Sequence, residues 1–92
     1  MPSEIAEKLK DLSGWEYRDN KLVKTFEFPT FNDGLVLVNT LASFCNQIDH
    51  HPLICIDYKK ITFSLTTNCM GEKVSEKDVR VAQEIEDLYG LY

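Results

Sequence analysis

Apolar residues recur along this chain with two different periods, and the places where the period changes mark the boundaries of its elements. From Ser3 to Ser13, Ile5, Leu9 and Leu12 fall at helical spacing, with Glu4 and Glu7 ahead of Lys8 and Lys10, the charge order a helix dipole favours. This predicts an amphipathic helix ended by Gly14. Trp15 to Arg18 and Lys21 to Phe28 flank Asp19-Asn20, a pair suited to a tight hairpin turn. The second strand of that hairpin places Phe26 and Phe28 on one face and is closed by Pro29. A second helix is predicted from Phe31 to Ile48. Leu35, Val38, Leu41, Ala42, Cys45 and Ile48 form its stripe, and Leu37 and Phe44 add a second apolar line. Two apolar lines call for two partners. One is the sheet, and the other is expected to be another subunit, because so small a domain has little else to cover a second face.

Further on, Leu53 to Tyr58 is a short apolar strand and Lys59-Lys60 offers a turn. Ile61, Phe63, Leu65 and Thr67 then alternate with Thr62, Ser64 and Thr66, the period of a half-buried strand. Ser75 starts a final helix with Val79, Ala82, Ile85 and Tyr89 on its inner stripe and Asp78 three residues after the cap. The order α-β-β-α-β-β-α, with no repeat or linker, predicts an α+β fold: one domain over residues 1–92, a four-stranded antiparallel sheet with helices packed on one face.

Composition narrows what such a domain can do. The 92 residues are 43% hydrophobic, enough for one core and too few for a second domain. With 15 acidic against 10 basic residues the net charge is -5, and the basic residues are scattered, so direct nucleic-acid binding is not expected. No apolar run is long enough to span a membrane and the N-terminus lacks the core of a signal peptide, which points to the cytosol. Cys45, Cys55 and Cys69 are odd in number and form no CxxC pair. They are expected to be reduced, mostly buried thiols, neither a disulfide framework nor a zinc site.

The candidate chemistry sits at His50-His51-Pro52, which holds both histidines of the chain. Histidine is the side chain that titrates near neutral pH without perturbation. Pro52 disfavours helix at His51, so the doublet belongs to the extended connection between helix and strand, where consecutive side chains point to opposite faces. The two rings are therefore not equivalent ligands of one metal ion; one can face a cleft while the other holds it.

Taken with its surroundings, the doublet resembles the pterin-4a-carbinolamine dehydratase family, which also includes dimerisation cofactors of transcription factors. The resemblance spans nearly the whole chain. It rests on Gly14-Trp15 after the first helix, Phe26-Glu27-Phe28 leading to Phe31-Asn32, and Asp49-His50-His51-Pro52 with Tyr58 six residues after the proline. Leu65-Thr66-Thr67 and Ser75 to Asp78 complete it. The resemblance implies dehydration of a 4a-hydroxy-tetrahydropterin to a quinonoid dihydropterin, which recycles the pterin without metal or cofactor. One proton goes to the departing hydroxyl and another leaves the ring nitrogen, tasks that imidazoles suit because their pKa lies near working pH. It further implies that His50 and His51 exchange these protons and that Asp78 is the motif's terminal acid. Asp49, Thr66, Thr67, Asn68 and Cys69 would line the pterin pocket, and Trp15 would close it. A homodimer or homotetramer is the assembly to expect.

Two departures from the family pattern fall where the chemistry is. Asn68 stands where the family usually has a third histidine, and an amide exchanges no proton at neutral pH. Asn46, four residues before His50, replaces an acidic residue whose charge could raise a neighbouring histidine's pKa. Leu53-Ile54 also lacks the Glu-Trp found after the proline in many members. Plainer roles stand beside the functional ones: a capping box for Asp78 with Ser75, core packing for Trp15 and Tyr58, a turn for Asn68 and an inert thiol for Cys69. The alternatives to catalysis are a dehydratase-like dimerisation or assembly factor, and a pterin-binding protein serving another step.

Overall fold

The computed structural model describes residues 12–67 and 74–91. The chain runs through β1 (Glu16–Arg18), β2 (Lys21–Glu27), α1 (Phe31–Ile48), β3 (Leu53–Asp57), β4 (Lys60–Leu65) and α2 (Glu76–Tyr89). The helix expected from Ser3 to Ser13 lies outside the described residues apart from its end, where Leu12 is buried in the core.

The four strands form one antiparallel sheet in the order β1-β2-β4-β3. The first hairpin turns at Asp19 and Asn20, with φ of 51° and 62°, the left-handed pair that matches the twist of two short strands. Register follows the alternation read from the sequence: Leu22 faces Leu65, Phe26 faces Ile61, and Ile54 faces Phe63. All these side chains share the face that the helices cover. Leu22, Phe26, Ile61, Phe63 and Leu65 are buried there with Leu37, Leu41 and Cys45 of α1 and Val79, Val81, Ala82 and Ile85 of α2. Phe26 meets Trp15, Phe63 and Tyr89 edge to face, at centroid distances of 6.0, 5.7 and 4.8 Å, the arrangement that ring quadrupoles favour.

Four expectations change in detail. On α1 the buried line is Gly34, Leu37, Leu41 and Cys45, so Leu37 belongs to the core stripe, while Leu35 and Val38 are half-buried and Ala42 is exposed. The cause is a glycine that apolar patterning overlooks. Gly34 lets the helix lie against Ile61, and this sets the rotation of the whole element. The second turn is Tyr58-Lys59 and not Lys59-Lys60, because Tyr58 takes the left-handed conformation (φ 52°) and Lys60 already pairs with Asp57. Tyr58, expected in the core, is consequently 67% exposed. Cys45 is buried as expected, with its thiol pKa raised by desolvation and, second, by Glu84. Cys55 is exposed, because it pairs with Thr62 on the sheet face away from the two described helices; Cys69 lies outside the described residues. Among the described residues, no helix is long and apolar enough to cross a membrane.

Candidate active site

The end of α1 determines where both histidines stand. Asp49 adopts φ 52° and ψ 49°, reversing the chain just past the helix. The His50 N–H then donates to the Cys45 carbonyl at 3.0 Å and the Asp49 N–H to the Asn46 carbonyl at 3.4 Å. This pair of bonds is a Schellman closure, which satisfies carbonyls the helix would leave unpaired. Pro52 disfavours helix at His51, the chain runs on into β3, and the two rings diverge.

His50 turns inward to α2. Its Nε2 lies 2.5 Å from Asp78 Oδ1, and the Asp78 side chain is fully buried while that of His50 is 12% exposed. The second carboxylate oxygen is equally committed. Asp78 Oδ2 accepts from Thr67 Oγ1 at 2.7 Å and from the Ser75 N–H at 2.9 Å. The Ser75 and Thr67 hydroxyls are 2.6 Å apart. A carboxylate without water is tolerable only with its lone pairs filled, and no buried side-chain polar atom among the described residues lacks a partner. Asp78 therefore does two things that looked like alternatives: it closes the reach-back half of a capping box at the start of α2, and it grips the histidine.

His51 turns the other way. It is exposed, and its Nε2 lies 2.8 Å from Asn46 Oδ1. The two adjacent imidazoles thus have different partners, a buried carboxylate on α2 and a neutral amide on α1.

The remaining candidates are dispersed. Thr67 is buried against Asp78, whereas Thr66 points away and donates to the Asn20 carbonyl at 3.0 Å in the first hairpin turn. Asp49 is exposed at the helix cap. Asn68 and Cys69 lie outside the described residues. Trp15 is placed well away from the doublet. Its Nε1 donates to Glu86 Oε2 at 2.9 Å, where Lys24 Nζ also donates at 2.6 Å, about two helical turns along α2 from Asp78. Ser75 is the site residue that sequence reasoning gave only a capping role; its hydroxyl reaches Thr67 because β4 ends beside the start of α2. Among the described residues, no three His, Cys, Asp or Glu side chains come together as a metal site.

Fold and site together define a small α+β protein that presents a histidine locked to a buried carboxylate beside a second, solvent-facing histidine. The model of the pterin 4 alpha carbinolamine dehydratase family matches residues 1–88. The chain belongs to this family, which acts on a pterin substrate. It is 36% identical over 83 residues to a Sulfolobus acidocaldarius protein named "Putative pterin-4-alpha-carbinolamine dehydratase", covering 90% of each chain. A Mycolicibacterium smegmatis protein of the same name is 43% identical over 77 residues, covering 84% of this chain and 81% of the other. Among solved structures, a transcriptional coactivator/pterin dehydratase from Brucella melitensis superposes with a TM-score of 0.88 at 26% identity, covering 96% of this chain and 95% of that one. A pterin dehydratase-like RuBisCO assembly factor of the alpha-carboxysome shares the fold, with a TM-score of 0.66 at 19% identity over 83% of this chain and 87% of its own.

Proposed function

We propose that this protein dehydrates a 4a-hydroxy-tetrahydropterin to the quinonoid dihydropterin, with His50 and His51 exchanging the two protons. The C4a–O bond breaks as the hydroxyl takes a proton and leaves as water, and the ring nitrogen gives up its own proton. No net proton is consumed. The observation that carries this reading is the His50–Asp78 pair. A buried carboxylate on Nε2 fixes the ring's orientation and stabilises the imidazolium that forms when the other nitrogen takes a proton. Asp78 is in this reading a positioning residue, acting through His50, with Thr67 and Ser75 holding its second oxygen. The exposed His51 is free to meet the substrate from solvent. Asn68, standing where the family usually has a histidine, would serve in binding and not in proton transfer.

The reading is tested by following the loss of freshly generated 4a-hydroxy-tetrahydropterin with wild type, His51→Ala, Asp78→Asn and Asn68→His. Wild type should exceed the uncatalysed rate, and His51→Ala should remove about 10²- to 10⁴-fold of that acceleration. Asp78→Asn should lower kcat more than it raises KM. A wild-type rate equal to the uncatalysed one overturns the proposal.

A second reading, a non-catalytic dehydratase-like dimerisation or assembly factor, is favoured by one specific observation: Asn46 and Asn68 both replace ionisable residues of the family pattern. A wild-type protein that is inactive but gains activity as Asn68→His would support it. Binding of pterin without turnover would point instead to a pterin-binding role. In either reading we expect a homodimer or homotetramer, because the outer face of α1 carries Val36 at 56% exposure and, from Gly34 to Ile48, no charged residue.

A further inference from the structure

Among the described residues, the side-chain group that holds His51 is the amide of Asn46, a residue to which the proposed proton transfers give no role of its own. Its Oδ1 lies 2.8 Å from His51 Nε2. An amide oxygen can only accept, so a neutral His51 in this contact carries its hydrogen on Nε2 and presents Nδ1 as a lone pair. The reach from residue 46 to residue 51 depends on the Schellman closure, because the left-handed Asp49 brings the segment back over the last turn of α1. From these contacts we infer that Asn46 is a positioning residue that fixes the tautomer of His51 and so chooses Nδ1 as the nitrogen offered to the substrate.

The charges around His51 make the amide consequential. Asp49 and His50 adjoin it in its own segment; α1 presents Asn46; the buried carboxylate of α2, Asp78, is committed to His50. No ion pair among the described residues involves His51. A carboxylate at position 46 would make the same hydrogen bond but would also favour the imidazolium, and then Nδ1 would carry a proton instead of a lone pair. Asn46 keeps the orienting bond without the charge. The pair of histidines is thereby differentiated: His50 is backed by a buried carboxylate that fixes its ring through Nε2, and His51 by an amide that selects one neutral form.

The catalytic consequence rests on the proposed dehydratase reading, but the structural inference can be measured without it. Ring-nitrogen NMR of labelled wild type, Asn46→Leu and Asn46→Asp, recorded with the rings neutral, reads the His51 tautomer directly, and unchanged His50 signals certify the fold. Wild type should hold the hydrogen on Nε2, and Asn46→Leu should mix both tautomers. Asn46→Asp, which keeps an acceptor oxygen at this position, should restore Nε2–H. A hydrogen on Nδ1 in wild type, or identical His51 behaviour in all three proteins, overturns the inference. In the dehydration assay, Asn46→Leu should lower kcat by about 10- to 100-fold with KM little changed, the usual cost of losing a group that orients a working histidine. An inactive wild type with the expected tautomers sinks the dehydratase reading and leaves this one standing. An active wild type whose His51 ignores position 46 does the reverse.

Discussion

Asp49 sits at a backbone angle that glycine would adopt without strain, and both histidines hang from it. The left-handed conformation brings Cβ against the following carbonyl, at a cost that asparagine and aspartate tolerate best among non-glycine residues. Its side chain was expected to line the pterin pocket, while the structure gives its backbone a definite task. Two substitutions separate these roles. Asp49→Gly should hold or raise the denaturation midpoint, and Asp49→Val should lower stability by about 1–2 kcal/mol, as measured by urea unfolding. If Asp49→Gly keeps its stability but loses affinity for a pterin analogue, the carboxylate has a part in binding as well. Adjacent residues in an extended segment must diverge, so the opposite directions of His50 and His51 were legible in the sequence. What each would meet was not. The distance between Asp78 and His50 depends on how α2 crosses the sheet, and no local pattern encodes that crossing. Trp15 was open for the same reason: a tryptophan after a glycine can serve a pocket or a core, and its bond to Glu86 depends on where α2 lies.

The elements themselves were readable because each one combines a period with a chemical stop. Asp19-Asn20 ends β1, Pro29 ends β2, and Ser75 with Asp78 opens α2. The rotation of α1 departs from the apolar periodicity because that periodicity counts methyl groups and gives glycine no weight. Gly34 is the contact point. A Cβ built there would come within 2.7 Å of Ile61 Cδ1 and 3.4 Å of Phe28 Cδ1, and all three positions are buried. Alanine normally gains about 1 kcal/mol over glycine within a helix. Here overpacking of a filled site opposes that gain, at about 1–3 kcal/mol. Gly34→Ala should therefore destabilise the protein. Ile61→Val removes the clashing methyl and alone costs about 0.5–1.5 kcal/mol. Combined, the two should cost less than their sum, with a coupling of about 0.5 kcal/mol or more. Strict additivity in a double-mutant cycle would place α1 elsewhere on the sheet.

At the scale of the whole molecule the two helices differ in what they show to water. α2 exposes Glu76, Lys77, Arg80, Gln83 and Asp87, the surface of a helix meant to stay solvated. α1 is longer, and its single charged residue is Asp33 in the first turn. Beyond the exposed Phe31 at its start, its outward positions are Asn32, Val36, Asn39, Thr40, Ala42, Ser43, Asn46 and Gln47. Short, uncharged side chains of this kind let another helix approach closely and carry no desolvation penalty for buried charge. A second copy of the chain supplies a matching surface, since a two-fold contact pairs a patch with itself. Light scattering at micromolar concentration should show a species larger than the 10.6 kDa chain. Val36→Asp should shift it to monomer, because self-pairing brings the new carboxylates together in a dry contact. Position 36 lies about 15 Å along the helix from Asn46, so the His51 contact should survive in that monomer. Ring-nitrogen NMR of Val36→Asp then separates the two properties. If dissociation also releases His51 from Asn46, the assembly is what holds the end of α1 in shape; if His51 stays bound, each chain builds its own site before it finds a partner.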